Sequence, residues 1–236
     1  MNLAAIGMAL GVCIIGGPLV AEQATKPAVE AVDHLLLGVA DLDAGIAWVE
    51  RLTGVRAVPG GSHPGRGTRN ALLSLGRRRY LEIIAPDPAQ ATFTYEPDLR
   101  TFKEPHLITW AAATTDIQAV AASARAASQQ VFGPNDGSRA RPDGRMLRWR
   151  VLGLRSDLAA GGVNPIPFFI EWAADSLHPS ADSPTGCDLR AFEIAHPKAA
   201  DEADTLTPVG IEATVVTGAA QLKATLRCPK GTVELY

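Results

Sequence analysis

The sequence predicts an α+β fold of repeated βαβββ modules, whose half-barrel sheets pair around a cleft. Two observations lead to this prediction. The order strand, helix, three strands occurs in residues 32–88, returns in residues 106–175, and is followed by a fainter third pass in residues 187–236. Each pass also ends on a strand with a glutamate in an apolar frame: YLEII, FFIEW and TVELY. Because one such sheet with one helix cannot cover both faces, the modules are expected to pair.

The first module begins with VDHLLLGVA (32–40), a β-branched and leucine-rich run typical of a buried strand. The next stretch, DLDAGIAWVERLTG (41–54), has apolar residues at helical spacing. Asp41 or Asp43 can cap this helix and Gly54 can end it. The runs VRAVPGG, NALLSLG and RRYLEIIA then predict three strands.

The second module repeats this order. HLITWAAAT predicts a strand, a helix follows Thr115 or Asp116, and QQVFG, RMLRWRVLG and PFFIEWA predict three further strands. The segment GPNDGSRARPDG, which leads from QQVFG to RMLRWRVLG, predicts a loop. In the third module, the strand DLRAFEIA precedes the helix-like PKAADEADTL and the strands EATVVT, QLKATLR and TVELY.

The composition and the first 24 residues limit where the protein can be located in the cell and which classes of molecule it can bind. The chain has 236 residues, 47% of them hydrophobic, and a net charge of -3, so it can bury a sizeable core and has no basic footprint for nucleic acid. The first 21 residues carry no charged side chain. Residues 1–24 are therefore expected to be a signal peptide of a periplasmic or secreted protein, with a membrane anchor as the alternative. If they are neither, the protein is cytoplasmic and membrane contact is not expected.

Two cysteines lie outside this leader. Cys187 and Cys228 could pair in an oxidising compartment, but nothing in the sequence fixes their distance, which favours two separate thiols. The sequence also leaves open whether the half-barrels pair within one chain or in a homodimer.

Glu82 is the most informative candidate for chemistry. Alternation along its strand places Tyr80, Glu82 and Ile84 on one face, within an apolar run. An ionised carboxylate there costs several kcal/mol unless it is paired, protonated or bound to a cation. The alternative is a solvent-facing residue, but the repetition of glutamate at Glu171 favours function. Glu234, close to the C-terminus, is interpreted as solvated.

Two further segments supply candidate site residues. His34 in the first strand is predicted to be a ligand rather than a hydrogen-bonded core histidine. The glycine-rich GGSHPGRGTRN (60–70) offers backbone amides with Thr68, Arg69, Asn70 and His63, a set that suits an anionic oxygen. The alternative for this segment is a plain turn. The tryptophans Trp110, Trp149 and Trp172 are interpreted as core residues, and His178 as a loop residue.

The chain resembles the vicinal oxygen chelate superfamily, and within it the glyoxalase-like domain proteins. The resemblance rests on DHLLLGVADLDAGIAWVERLTG, GGSHPGRGTRN and YLEIIAPDP, and it covers most of residues 32–236. It implies a divalent metal (Zn, Ni, Mn or Fe) held in the cleft by one residue from the first and one from the last strand of each paired module. Carried over to this sequence, the ligands would be His34, Glu82 and Glu171, with Thr109 at the fourth position.

The leading hypothesis is a metal-dependent lyase or isomerase that acts on a small oxoacid or aldehyde-derived substrate through an enediolate. Glu171 would double as the base. His63 would be a catalytic residue that, with Arg69, orients the substrate, and it could instead carry a proton or substitute as the fourth ligand. Asn70 and Thr68 would also bind the substrate. Extradiol ring cleavage is disfavoured by Thr109. The alternatives are a non-catalytic small-molecule-binding protein of the resistance type, and an exported domain that binds a partner.

Overall fold

The first module forms as the sequence predicts. In the computed structural model, residues 25–140, 144–156, 158 and 160–236 are described. The chain begins with β1 (Lys26–Pro27) and a single helical turn, α1 (Ala28–Ala31). The module itself consists of β2 (Val32–Gly38), α2 (Leu42–Thr53), β3 (Val58–His63), β4 (Thr68–Ser74) and β5 (Tyr80–Pro86). The predicted signal peptide or anchor, residues 1–24, lies outside the described residues.

The second module and the C-terminal segment follow. The second module consists of β6 (His106–Ala113), α3 (Ile117–Ala126), β7 (Val131–Ala140), β8 (Met146–Leu154) and β9 (Phe168–Trp172). The C-terminal segment consists of β10 (Asp188–His196), α4 (Ala199–Leu206), β11 (Ile211–Glu212), β12 (Val215–Thr217), β13 (Gln221–Cys228) and β14 (Gly231–Leu235). Across the described ranges, none of these helices is long and apolar enough to span a bilayer.

Both modules belong to one curled sheet of eight strands in the order β3-β4-β5-β2-β6-β9-β8-β7. Each module pairs its first and last strands in parallel, β2 with β5 and β6 with β9. The two first strands, β2 and β6, run antiparallel at the centre of the sheet. The α+β fold with repeated modules is therefore confirmed, and the two half-barrels join within a single chain.

Local sequence signals set the helix boundaries. The Asp41 side chain accepts a hydrogen bond from the backbone N–H of Ala44 at 2.8 Å, and the Asp116 side chain accepts one from Ala119 at 3.0 Å. Gly54 ends α2 with a φ of 80°, a left-handed conformation that favours glycine. Of the alternative caps left open by the sequence, these aspartates are the ones used.

The two faces of the curled sheet have different roles. Leu35, Leu37, Leu81 and Ile83 belong to the main hydrophobic core, into which α2 and α3 also pack apolar side chains. Successive residues of a strand point to opposite faces, so the intervening residues of β2 and β5 face the other way. They line a cleft on the second face of the sheet.

The predicted loop GPNDGSRARPDG is wrong over its first eight residues, 133–140. Strand β7 extends through residues 131–140 and pairs with β8, with one irregularity between Phe132 and Asn135. Its Pro, Gly, Asn and Asp content is typical of a loop, but β7 is the edge strand of the sheet, where proline and a bulge are tolerated.

The C-terminal segment repeats the order of elements but not the strand pairing. Its sheet has the order β12-β10-β13-β14, so β10 lies between a parallel and an antiparallel neighbour. The first strand of each earlier module instead pairs with its own last strand. The segment joins the main core, where Phe192 packs edge-on to Trp110 with ring centroids 5.0 Å apart.

Cys187 and Cys228 form a disulfide, which corrects the preference for separate thiols. The bond joins the residue before β10 to the last residue of β13, two positions separated by 41 residues in the sequence. Antiparallel pairing of these two strands brings the cysteines together, and the sequence does not encode this register in a recognisable pattern.

Removal of this disulfide should lower the free energy of unfolding by roughly 3 kcal/mol, because the cross-link restricts the unfolded chain. We expect the double variant Cys187→Ala with Cys228→Ala to show this loss in urea unfolding of the oxidised protein. Reductant should destabilise the wild type by a similar amount and leave the double variant unaffected. Equal stability of the oxidised wild type and the double variant would contradict the prediction.

Candidate active site

The cleft on the second face of the sheet contains a cluster of titratable groups. Its volume is about 860 Å³, and it is lined by residues of both modules. Its polar floor combines His34, Glu82, His63 and Asn70, and much of the remaining lining is apolar or aromatic. Cavities of this size and composition are typical of small-molecule sites.

A buried carboxylate, Asp33, anchors the imidazole of His34. Asp33 has no solvent exposure, and its Oδ1 lies 2.7 Å from Nδ1 of His34. Because a carboxylate can only accept, Nδ1 of His34 donates this hydrogen bond, and in the neutral imidazole the lone pair is then on Nε2. In a regular strand these neighbours would point to opposite faces, but β2 has an irregularity between Val32 and His34 that changes their directions.

Asp33 receives two more hydrogen bonds from distant parts of the chain. Its Oδ2 accepts from Nε1 of Trp172 and from Nε2 of His178, both at 3.1 Å. The backbone N–H of Ser180 donates to Nδ1 of His178, which places the proton of that imidazole on Nε2. Burial alone would raise the pKa of the Asp33 carboxyl, but hydrogen bonds from His178 and His34 outweigh it and lower the pKa to about 2.

Glu82 lies beside His34 at the floor of the cleft. Its Oε2 is 3.6 Å from Nε2 of His34, and its Oε1 is 3.6 Å from Nε2 of His63. Burial raises the pKa of this carboxyl, but Coulombic attraction to His63 and His34 in their protonated forms and a hydrogen bond from Asn70 lower it further than burial raises it. Glu82 is therefore held in its ionised form although it is only 7% exposed.

Asn70 organises the other side of this floor. Its Oδ1 accepts from Nη1 of Arg139 at 3.0 Å, and its Nδ2 donates to Oε1 of Glu82 at 2.7 Å. Nδ2 also lies 3.2 Å from Nε2 of His63, so that nitrogen accepts and the His63 proton sits on Nδ1, 2.8 Å from Oγ1 of Thr68. Burial lowers the pKa of His63, which favours its neutral form.

The structure therefore brings together most of the residues predicted from the first module. Four of them line the cleft: His34, Glu82, His63 and Asn70. Thr68 forms a hydrogen bond with Nδ1 of His63. Arg69 is not among them, because it alternates with Thr68 and Asn70 along β4 and takes the opposite face. The guanidinium groups at the cleft belong instead to Arg139 and Arg66.

Glu171 does not join His34 and Glu82, which corrects the predicted ligand and base. Its Oε2 lies 2.5 Å from a guanidinium nitrogen of Arg150 and 3.3 Å from the backbone nitrogen of Ile117 at the start of α3. Both contacts lie on the helix-covered side of the sheet, and Glu171 is not part of the cleft lining.

The position that corresponds to Glu82 in the second module is Phe168. Leu36 lies five residues before the helix cap Asp41, and Ala111 lies five residues before the helix cap Asp116, so these two positions correspond. Leu36 pairs with Glu82, and Ala111 pairs with Phe168. Matching FFIEW to YLEII by their glutamates shifts the register by an odd number of residues, and such a shift turns every side chain to the other face.

Two of the four ligand positions implied by the resemblance therefore hold Thr109 and Phe168. Phe168 cannot bind a metal, and Nε2 of His63 does not replace it because that nitrogen already accepts from Asn70. Within residues 25–140, 144–156, 158 and 160–236, no group of three or more His, Cys, Asp or Glu side chains is arranged to hold a metal ion. The donor set does not fit the four-ligand site.

The expected core positions of two tryptophans were wrong. Trp110 is fully buried, but Trp149 and Trp172 line the cleft, with ring centroids 5.6 Å apart. The register of β9 explains Trp172: it lies on the face opposite to Glu171, and this is the face that lines the cleft. His178 does lie in a loop, but it is buried against Asp33.

Sequence reasoning missed Asp33, Arg139 and His178 as parts of the site. Asp33 stands next to His34 in the sequence, so an acidic residue inside a buried strand was an available signal. Arg139 and His178 reach the site from segments of loop-like composition, and long-range pairing determines their positions.

The depressed pKa of Asp33 predicts a specific loss of stability in acid. Because the folded-state pKa of about 2 lies below the ordinary aspartate pKa of 3.8, the ionised carboxylate stabilises the folded protein above about pH 4, and this contribution is lost as the pH falls towards 2. The difference in unfolding free energy between the wild type and Asp33→Asn should shrink by about 2 kcal/mol over this range.

Urea unfolding at a series of pH values measures this difference. Asp204→Asn is a suitable control because Asp204 is an exposed residue of α4. A wild-type advantage over Asp33→Asn that stays constant from about pH 5 to pH 2 would contradict the pairing of Asp33.

Comparison with known proteins agrees with this architecture. A family described as the glyoxalase-like domain matches residues 32–210. The crystal structure of a hypothetical protein from Staphylococcus aureus has a TM-score of 0.60 at 13% identity, over 87% of this chain and 98% of that chain. No curated protein matches the sequence significantly.

Two epimerase structures give weaker matches. Methylmalonyl-CoA epimerase from Mycobacterium tuberculosis has a TM-score of 0.44 at 22% identity, over 64% of this chain and 93% of that chain. A Streptomyces coelicolor methylmalonyl-CoA epimerase in complex with 2-nitronate-propionyl-CoA has a TM-score of 0.45 at 20% identity, over 61% and 98%. The family match spans well over half of the sequence, and the chain belongs to the glyoxalase-like domain family, in agreement with its resemblance to the vicinal oxygen chelate superfamily.

Proposed function

We propose that this protein is an isomerase or lyase that removes a proton next to the carbonyl group of a small oxo compound and stabilises the resulting enolate or enediolate. The observation that carries the proposal is the geometry of His34. Its Nδ1 donates a hydrogen bond to a buried aspartate, and its Nε2 lies at the floor of the cleft. A histidine held in this way is suited to general-base catalysis.

His34 is the proton acceptor in this proposal. As Nε2 takes the proton, the ring becomes an imidazolium between two carboxylates, Asp33 at 2.7 Å from Nδ1 and Glu82 at 3.6 Å from Nε2. Both carboxyls have lowered pKa values, so they remain ionised and stabilise the new charge. The ring also stacks on Tyr80 with centroids 4.5 Å apart, which fixes its plane.

Arg139 stabilises the negative charge that develops on the substrate oxygen, and Asn70 positions Arg139. Arg139 donates one of its five N–H groups to Asn70. Among the described contacts its other N–H groups are available to bind a ligand. A guanidinium group can bind a carboxylate or an enolate oxygen through two parallel hydrogen bonds. Asn70 holds Arg139 and Glu82 in place, so it positions both charges relative to His34.

The sequence-based hypothesis assigned this chemistry to a metal, and the proposed reaction uses only the protein's own groups because the donor set does not fit a four-ligand site. A second candidate function is non-catalytic binding of a small molecule in the same cleft. The replacement of two ligand positions by Thr109 and Phe168 favours this candidate, because a binding protein needs no complete ligand set.

Proton exchange tests the catalytic proposal directly. The full chain in deuterated water should exchange the protons next to the carbonyl of oxoacids such as pyruvate, followed by proton NMR. His34→Gln should slow the enzyme-dependent exchange by about a hundredfold or more, because the general base is lost. Glu171→Gln is the matched control, and its exchange rate should equal that of the wild type.

Two outcomes would contradict the catalytic proposal. Exchange that His34→Gln leaves unchanged would show that His34 is not the base. Calorimetric binding of oxoacids without any exchange would identify the second candidate, a binding protein.

Metal content is the matching test of the donor set. After incubation with Zn, Ni, Mn and Fe salts and removal of the excess, elemental analysis should find far less than one metal ion per chain. His34→Gln and Glu82→Gln should not change this result. Near-stoichiometric metal that both variants lose would contradict our assignment and restore the metal-dependent hypothesis.

A further inference from the structure

The cleft is much larger and more aromatic than a three-carbon oxo compound requires. Its volume of about 860 Å³ lies in the range of sites for drug-sized ligands. Six aromatic side chains line it: Tyr80, Tyr95, Phe132, Trp149, Phe168 and Trp172. Phe132 at the rim is 49% exposed, so apolar surface is open to solvent where a ligand could cover it.

The aromatic lining reaches the reacting group itself. Phe168 packs edge-on against His34 with ring centroids 5.5 Å apart, and it stands where the corresponding position of the first module carries Glu82. A substrate carbon beside Nε2 of His34 would therefore contact an aromatic ring. Substituents on that carbon are expected to be apolar.

Trp149 offers a flat surface on the second module. It pairs with Trp172 across β8 and β9 and with Gly137 across β7 and β8. A Cβ added at Gly137 would lie 2.4 Å from Nε1 of Trp149, so the indole lies directly over the backbone of β7. Glycine at this position leaves the space that the indole occupies, and the part of the ring that lines the cleft is suited to stacking.

The charges of the cleft are unevenly distributed. The carboxylates of Glu96 and Asp136 line its exposed rim, and Arg66, also exposed, lies over the ring of Tyr95 at 5.3 Å. Arg139 is partly buried and is bonded to Asn70 at the floor. It is therefore the cation placed to bind an anionic group next to the reacting carbon, where it would also offset the charge of Glu82.

We propose that the substrate is a 2-oxoacid with an aromatic body. Its carboxylate would bind Arg139, its ring would lie against Trp149 and Phe168, and the carbon next to the carbonyl would face Nε2 of His34. The C–H bond breaks and its proton moves to Nε2. Its electron pair forms the carbon–carbon double bond of the enolate, while the carbonyl electrons move onto oxygen. This oxygen takes a proton from water to give the enol, and the His34 imidazolium returns its proton to the hydroxide that is left.

The reaction step rests on the proposed function, but the binding step does not, so two measurements separate them. Phenylpyruvate and pyruvate are compared in the exchange assay with the full chain, and the ratio of their kcat/KM values is taken for each variant. Intrinsic differences in acidity cancel when this ratio is compared between proteins. Trp149→Ala should lower the phenylpyruvate preference by about tenfold to a hundredfold, because an apolar contact surface is lost.

Two variants make this comparison specific. Trp149→Phe should recover most of the preference because it keeps a ring, and Glu171→Gln should retain the wild-type ratio. A ratio that is the same in wild type and Trp149→Ala would overturn the inference while leaving the proposed function intact.

Calorimetry tests binding even if no exchange occurs. Phenylpyruvate should bind the wild type at least about tenfold more tightly than pyruvate, and Trp149→Ala should lose this difference. Absence of exchange together with this binding pattern would overturn the proposed function and support the ligand class. Equal affinities for the two compounds would overturn the ligand class.

Discussion

The hydrogen bonding of one buried carboxylate, Asp33, determines the arrangement of the site. A fully buried charge costs several kcal/mol unless hydrogen bonds compensate it, and Asp33 has three donors. They come from β2, from the last strand of the second module, and from the loop that leads to the C-terminal segment. The same interaction therefore joins three parts of the chain and fixes the tautomer of His34.

The two modules share a backbone plan but differ in the chemistry of the faces they present to the cleft. The first module supplies His34, Glu82, His63 and Asn70, and the second supplies aromatic side chains and Arg139. A site with donors from both modules would surround a metal symmetrically. This site instead places a polar proton-transfer cluster opposite an apolar wall, an arrangement suited to a substrate with one oxygen-bearing end and one apolar end.

The fold could be predicted from the sequence, and so could the residues that the first module contributes to the site. Apolar periodicity and aspartate caps are local signals, and they identified the modules, both helices and the strand faces of His34 and Glu82. The second half of the site depends on the register between β6 and β9, and a glutamate repeated in FFIEW suggested the wrong register. Arg139 and His178 lie in segments whose composition is typical of loops, so only the folded chain shows that they reach Asn70 and Asp33.

The most direct test of this account is the tautomer of His34, measured by NMR with 15N-labelled histidine and assigned with His34→Gln and His178→Gln variants. At neutral pH we expect the His34 proton on Nδ1, with Nε2 unprotonated, and we expect Asp33→Asn to change this state. A His34 protonated on Nε2 in the wild-type protein would contradict the account, because the nitrogen at the floor of the cleft could then no longer accept a proton.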